Sequence, residues 1–149
     1  MKKTFLGIGA GPIQTGIFVA GAAAAGYDRI VLADVDAALV AAIRAAGSIT
    51  VNTACSGSIR TDRYDNIEIY NPSVPEDLEI LKAAAAEAVA LNTALPATRF
   101  YAFCVPWLKE AFDRNPEGER FFYTSENSTT AAAEFSALLG EYPNTHVLD

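Results

Sequence analysis

The strongest constraint on the fold is a repeated alternation of short apolar runs with longer segments of helical spacing. Short runs rich in apolar or β-branched residues predict strands, of which Thr4–Ile8 reads as buried and Ile67–Tyr70 alternates. The predicted strands are Thr4–Ile8, Arg29–Ala33, Ser48–Thr53, Ile67–Tyr70, Ala88–Leu91, Phe121–Thr124 and His146–Leu148. Strands that alternate with helices favour an α/β fold with a mostly parallel sheet and helices on both of its faces.

Alanine-rich segments with larger apolar residues at helical spacing predict the helices, since alanine is the best helix former. The predicted helices are Ile13–Ala25, Asp36–Ala46, Pro75–Glu87, Thr98–Phe112 and Ser128–Leu139. Asp36 is a candidate N-cap, and Gly26 and Gly47 are expected to end their helices. Pro106 is expected to kink or break the fourth helix, because proline has no N–H to donate.

Length and composition indicate one domain over residues 1–149, with 51% hydrophobic and 19% charged residues. The net charge of −7 opposes nonspecific binding to nucleic acids or anionic membranes, which require a basic surface. No apolar run is long enough to span a membrane, so we expect no membrane partner and a cytoplasmic location. Two cysteines are too few for a disulfide scaffold. One histidine excludes a histidine-rich metal site, and we expect no metal.

The segment from Gly7 to Gly16, with the sequence GIGAGPIQTG, carries the clearest chemical signal. It follows a predicted strand and opens a helix, which is the context of the G-x-G-x-x-G dinucleotide fingerprint. Gly9 permits the tight turn, Gly11 lets a pyrophosphate approach the backbone, and the helix N-terminus offers free N–H groups. Gln14 stands where the fingerprint has its third glycine. Gly16 is therefore expected to supply the close approach of helix and strand.

Asp34 ends the second predicted strand, about 20 to 25 residues after these glycines. A carboxylate at this place can accept hydrogen bonds from the hydroxyl groups of an adenosine ribose. It would also repel a 2′-phosphate, and no basic residue follows before Arg44. The pattern therefore predicts a doubly wound Rossmann fold that binds NAD in preference to NADP. The alternative role of Asp34, as a helix cap, can be filled by Asp36.

Polar and small residues follow the fourth and fifth major strands of the predicted sheet. Ligands bind such sheets where the strand order reverses, beside these strand ends. Residues 92–96 either line the nicotinamide half of the ligand or form an ordinary turn. Glu126 and Asn127 lie at the same predicted edge of the sheet and can face the ligand. The alternative is a structural role, in which Asn127 or Ser128 caps the helix that follows.

Four segments together resemble the polyol-specific long-chain dehydrogenases, which include the mannitol-1-phosphate 5-dehydrogenases. The segments are Gly9-Ala10-Gly11-Pro12-Ile13 with Gly16, Ala33-Asp34-Val35, Thr93-Ala94-Leu95-Pro96 and Glu126-Asn127. The similarity in order and spacing covers nearly the whole chain, while identities are confined to these stretches. The resemblance implies an NAD-binding domain that supports hydride transfer between NAD and a polyol or sugar phosphate.

The resemblance also implies a role for each matched residue. Gly9, Gly11, Pro12 and Ile13 would hold the pyrophosphate, and Asp34 would bind the adenosine ribose. Further residues are predicted to lie beside the cofactor, the last of them near its nicotinamide end: Ala10, Gln14, Val35, Thr93, Ala94, Leu95 and Asn127.

Two departures from the family limit what this chain is expected to do alone. Gln14 replaces the third glycine. The family's helical C-terminal domain carries a catalytic lysine and the substrate-binding groups, and none of the four lysines here matches them: Lys2, Lys3, Lys82 and Lys109. We predict no catalytic residue in this chain, and turnover of a polyol only with such a domain. The alternative is a non-catalytic nucleotide-binding or sensory module.

The remaining polar and aromatic residues are interpreted as structural. His146 has no identifiable partner, and neither Cys55 nor Cys104 neighbours an obvious base. The polar segment 55–66 is expected to be a solvated loop with alternating charges, which are Arg60, Asp62, Arg63 and Asp65. An aromatic cluster is assigned to core or interface packing, namely Phe100, Tyr101, Phe103 and Trp107.

Overall fold

A computed structural model describes residues 2–149 of the chain. Its strands are β1 (Thr4–Ile8), β2 (Arg29–Ala33), β3 (Ser48–Cys55), β4 (Ser58–Asp65), β5 (Ile67–Tyr70), β6 (Ala88–Thr93), β7 (Arg120–Thr124) and β8 (Thr145–Leu148). Six of them form a parallel sheet in the order β5-β2-β1-β6-β7-β8, and β3 and β4 form a separate antiparallel hairpin. Counted along the chain without the hairpin, this is the 3-2-1-4-5-6 order of the Rossmann fold. The predicted fold class is confirmed.

Five helices connect these strands. Helix α1 consists of a π-helical segment, Gln14–Val19, continued by the α-helical segment Ala20–Ala24. The others are α2 (Ala37–Ala46), α3 (Pro75–Glu87), α4 (Tyr101–Asp113, after a 3₁₀ turn at Thr98–Phe100) and α5 (Ala131–Leu139). None of the helices within residues 2–149 is both long and apolar enough to cross a membrane.

The apolar side chains form two cores, one on each face of the sheet. Leu6 and Leu91 point to the face covered by α3, α4 and α5, where they pack with Phe122. Phe5 and Ile30 point to the opposite face, which α1, α2 and the hairpin cover. Because side chains alternate along a strand, strands buried on both faces require continuous apolar runs. This requirement explains why the central strands β1, β2 and β6 were visible in the sequence.

The hairpin of β3 and β4 contradicts the predicted loop at residues 55–66. Ile49 is buried against the core and Tyr64 packs beside it, whereas Ile59 is 73% exposed. The alternating charges pair along β4 itself, with Arg60 Nε donating to Asp62 Oδ2 at 2.8 Å. The prediction of a strand at Ser48–Thr53 is confirmed by β3, whereas β4 is mostly exposed and lacks the apolar alternation that would have identified it.

Other element boundaries differ from the prediction by a few residues. β6 continues to Thr93, which is buried and paired with Ile8 of β1. Helix α4 passes through Pro106 without ending. Helix α5 begins at Ala131 rather than Ser128, and its N-cap has no side-chain hydrogen bond. Asp36 is confirmed as the cap of α2, because its Oδ1 accepts hydrogen bonds from two N–H groups of the first turn.

Candidate functional site

The glycine bend after β1 is formed by Gly9, Ala10 and Gly11. Gly9 has a φ of 88°, and its N–H donates to the Ala33 carbonyl at 2.8 Å. A Cβ built on Gly9 would overlap the carbonyl oxygen of Ala94, so both the dihedral angle and the space require glycine. A Cβ built on Gly11 would meet no atom within 4 Å. The space above Gly11 is therefore open to a ligand.

The start of helix α1 faces this open space. Thr15 N–H donates to the Gly11 carbonyl at 3.0 Å, which makes Gly11 the last residue before the helical turn. Pro12 has no N–H and suits the first position of a helix. The first-turn N–H of Ile13 has no carbonyl one turn earlier with which to bond. Pro12 and Ile13 are both exposed, and the helix end is accessible to an anion.

The carboxylate of Asp34 lies against the glycine bend. Its Oδ2 accepts a hydrogen bond from Ala10 N–H at 2.8 Å, and its Oδ1 accepts one from Asp36 N–H at 2.9 Å. Two backbone donors thus fix a half-buried carboxylate at the end of β2. Each oxygen keeps acceptor capacity for another donor. Because Asp36 caps α2, Asp34 is not needed for that role.

The bend and Asp34 border a cavity of about 640 Å³ at the carboxyl ends of the strands. Helix α4 and the loops after β2, β5 and β6 complete it. Its far wall is apolar and includes Phe100, Phe103 and Trp107. Asp34 is the one charged side chain that lines it within residues 2–149. The cavity volume and its apolar walls are typical of a small-molecule site.

Glu126 fixes the loop after β6 at the edge of this cavity. The side chain is buried, and its Oε1 accepts a hydrogen bond from Leu95 N–H at 2.9 Å. Its Oε2 accepts from the hydroxyl of Thr93 at 2.9 Å, from the hydroxyl of Tyr101 and from the Ser125 N–H. Burial and this bond to Glu126 raise the pKa of Tyr101 far above its ordinary value. Glu126 is therefore occupied by protein donors and holds Ala94 and Leu95 in place.

Gln14 lies beneath the bend rather than on its surface. The side chain is fully buried, and its Nε2 donates to Asn92 Oδ1 of β6 at 2.9 Å. A Cβ built on Gly7 would overlap the Gln14 side chain, whereas one built on Gly16 would meet nothing within 4 Å. The prediction that Gly16 supplies the close approach is wrong. Gly7, on the strand, makes room for the helix.

The structure brings most of the predicted site residues together. Seven line the cavity, and they are Gly9, Ala10, Gly11, Asp34, Val35, Ala94 and Leu95. Gln14 and Thr93 are buried beneath them, and Asn127 is exposed after β7. His146, for which the sequence suggested no partner, has Nε2 3.2 Å from Glu119 Oε1, on β8 and outside this cavity.

The aromatic wall formed by α4 and the 3₁₀ turn before it was not predicted from the sequence. Its residues were assigned to core or interface packing, and Trp107 is indeed in the core while it also lines the cavity. Phe103 is 76% exposed and Phe100 is half-buried. Helical spacing alone does not distinguish a core position from a cavity wall, because both are apolar.

Comparisons with known proteins support the fold. No family model matches the chain, and no curated protein matches its sequence. Among solved structures, the TrkA-N domain of the inner membrane protein YbaL from Escherichia coli has a TM-score of 0.57 and 14% identity, covering 99% of this chain and 87% of that one. The 3-hydroxyisobutyrate dehydrogenase of Mycobacterium tuberculosis, solved with L-serine, has a TM-score of 0.52 and 18% identity. The match covers 99% of this chain but 39% of the dehydrogenase chain.

Proposed function

We propose that this chain is an NAD-binding domain. The observation that carries the proposal is the contact between the glycine bend and the acid of β2, where Asp34 Oδ2 lies 2.8 Å from Ala10 N. One end of the cavity thus presents N–H groups suited to a diphosphate, and the adjacent carboxylate suits the ribose hydroxyls. The apolar wall of α4 suits the adenine ring.

The charge of the cavity favours NAD over NADP. A 2′-phosphate on the adenosine ribose would lie close to the Asp34 carboxylate, which repels it. Within residues 2–149 no lysine or arginine lines the cavity to neutralise such a phosphate. Arg44 points elsewhere, since its Nη2 binds Asp77 Oδ2 at 2.6 Å. These charges support NAD as the cofactor.

The finer proposal is that the domain supports hydride transfer between NAD and a polyol or sugar phosphate. It is supported by the sequence resemblance of the four short segments. The bound cofactor would supply the hydride chemistry, and this chain would bind and orient it. Pro12 and Ile13 would flank the diphosphate, Gln14 and Thr93 would support the site from below, and Asn127 would lie near the nicotinamide end.

A second candidate function is that of a non-catalytic nucleotide-binding module. The observation that favours it is the state of Glu126, the buried acid nearest the nicotinamide end. Its two oxygens already accept four hydrogen bonds from the protein, so its place in the fold is explained by a structural role. The chain alone is therefore expected to bind NAD without oxidising a polyol.

Replacement of Gly11 by alanine tests NAD binding directly. A Cβ at Gly11 meets no protein atom, so Gly11→Ala is expected to leave the melting temperature unchanged. The same methyl group would occupy the approach of the diphosphate and is expected to weaken NADH binding at least about tenfold, about 1.4 kcal/mol, in calorimetric titrations. NADPH is expected to bind more weakly than NADH to the unmodified chain.

Gly16→Ala is the matched control, because its Cβ is equally unobstructed and lies one helical turn away. It is expected to retain NADH affinity. The proposal fails if the unmodified chain does not bind NADH at millimolar concentration, or if Gly11→Ala binds it as tightly as Gly16→Ala does.

A further inference from the structure

We infer that a second copy of this chain covers the bare part of one sheet face, so that the protein is a two-fold symmetric dimer. The bare part, which we call the bare strip, consists of Phe121 and Tyr123 of β7 and Leu148 of β8. Among residues 2–149, none from the bare strip lines the cavity at the glycine bend. The inference therefore does not depend on the proposed function.

The side chains of the bare strip are exposed although they stand on strands of the sheet. Phe122 and Val147, their neighbours along the strands, pack into the core beneath α3, α4 and α5. Since side chains alternate along a strand, Phe121, Tyr123 and Leu148 point to the opposite face, where they are 41%, 36% and 38% exposed. Helix α5, which contacts both β7 and β8, lies on the side of Phe122. The bare strip thus continues the face that α1 and α2 cover elsewhere.

A groove separates the bare strip from α1. It has a volume of about 280 Å³, and its lining includes Ile17, Phe18, Gly21 and Ala22 of α1 and Ala90 and Tyr123 of the strands. Adjacent strands lie about 4.8 Å apart, so two bare strands span about 10 Å, which is close to the diameter of one helix. The face therefore has room for one further helix beside α1.

The charges around the groove determine which kind of helix fits there. None of the residues that line the groove within the described range 2–149 is charged. An occupant with a charged contact surface would bury its charges without partners. No charged residue occurs from Thr4 to Tyr27, so α1 is uncharged over its whole length, and its Ile17 is 58% exposed. Helix α1 of a second copy therefore has the uncharged, apolar surface that the groove requires.

A two-fold axis parallel to the strands brings these surfaces together twice. It places α1 of each copy on the bare strip of the other, so that the two α1 helices lie side by side between two sheets. Helices pack about 8–10 Å apart, which matches the width of the bare strip. A stable interface buries about 800 Å² of each partner. The second copy uses both α1 and the bare strip of each chain, whereas a single foreign helix would cover the bare strip alone.

Sedimentation equilibrium of the full chain from micromolar to millimolar concentration tests this inference. The protein is expected to sediment with twice the 15.8 kDa mass of the chain. Added NaCl is expected to strengthen the dimer, because salt screens the repulsion between two copies of net charge −7. A chain that stays monomeric at millimolar concentration would overturn the inference and leave the bare strip to a different protein. A dimer that dissociates in high salt would also overturn it, since its contact would then join opposite charges.

Substitutions on the two sides of the groove locate the contact. Ile17→Asp and Tyr123→Glu each introduce a carboxylate into it, and Ile59→Asp is the matched control, because Ile59 is 73% exposed on the separate hairpin. The first two are expected to raise the dissociation constant of the dimer at least tenfold and to keep the circular dichroism spectrum of the unmodified chain. Ile59→Asp is expected to change neither. A dimer that is as tight in both Ile17→Asp and Tyr123→Glu as in Ile59→Asp would overturn the inference.

Discussion

Gly7 and Gln14 form a complementary pair across the first strand and the first helix. The strand residue lacks a side chain where the helix residue has a buried one, and a Cβ on Gly7 would overlap it. The pair reverses the usual arrangement, in which a glycine on the helix permits the close approach. The helix therefore approaches the sheet because the strand makes room for it.

A double-mutant cycle tests this pairing. Gly7→Ala is expected to lower the free energy of unfolding by about 1–3 kcal/mol through overpacking. Gln14→Ala leaves the Asn92 carbonyl without its donor and is also expected to destabilise the fold. In the double variant Gly7→Ala/Gln14→Ala, the smaller side chain at position 14 makes room for the new methyl group. Its loss in free energy of unfolding is therefore expected to be smaller than the sum of the two single losses. The coupling energy measured by urea unfolding is expected to be at least about 0.5 kcal/mol. Additive costs would contradict the pairing.

Residue roles that depend on local chain geometry were predictable from the sequence. Gly9 at the bend and Asp36 as the cap of α2 follow from the residues immediately around them, and the position of Asp34 at the end of β2 follows in the same way, whereas its binding of a ribose stays a prediction. The role of Glu126 was not predictable in the same way. Its partners Thr93 and Tyr101 are distant in the sequence, and only the packing of β7 beside β6 brings them together.

Helix α4 shows that packing can outweigh a local helix-breaking residue. The sequence predicted a kink or a break at Pro106; the break does not occur, since the helix continues from Tyr101 to Asp113. Its buried face includes Leu108 and Phe112, both fully buried, while Pro106 lies on the exposed face. Burial of that apolar face thus stabilises a helix that has lost one backbone hydrogen bond.

Replacement of Pro106 by alanine is expected to stabilise the protein. It restores a backbone N–H donor inside α4 and removes the clash of the proline ring. It also raises the conformational entropy of the unfolded chain, which offsets a small part of this gain. We expect the free energy of unfolding to rise by about 1–2 kcal/mol in urea denaturation. Pro75→Ala is the matched control, because proline at the start of α3 has no such cost. A fall in stability for Pro106→Ala would show that the proline is required.

The prediction of elements depended on how fully each element is buried. The six sheet strands were recognised within about two residues of their ends, and the central strands β1, β2 and β6, which are nearly fully buried, have the clearest apolar runs. The hairpin of β3 and β4 was only half recognised, since its second strand is mostly exposed and polar. The π-helical segment of α1 has no sequence signal of its own.

The whole molecule is expected to lose stability in alkaline solution, because folding buries weak acids in their neutral form. Burial raises the pKa of Cys104 from 9.0 to about 12. The unfolded chain loses the thiol proton first, so this stability is complete below pH 9 and is lost as the pH rises toward 12. Tyr101 adds to the loss above its ordinary value of 10.0, since its pKa is raised as well.

Cys104→Ala isolates the contribution of the Cys104 thiol to the alkaline loss of stability. The variant is expected to be less stable at neutral pH, but its free energy of unfolding should fall less steeply between pH 9 and pH 10 than that of the unmodified chain. The difference in slope is expected to approach about 1.4 kcal/mol per pH unit in urea titrations. Cys55→Ala removes an exposed thiol and is expected to keep the original slope. Equal slopes for the two variants would contradict this origin of the alkaline loss.

The order of the sheet also has a consequence for synthesis on the ribosome. The first strand to be made, β1, lies at the centre of the sheet between β2 and β6. β2 follows soon after it, but β6 ends at Thr93 of 149 residues. The nascent chain therefore carries an apolar strand with one unpaired edge until translation has passed Thr93.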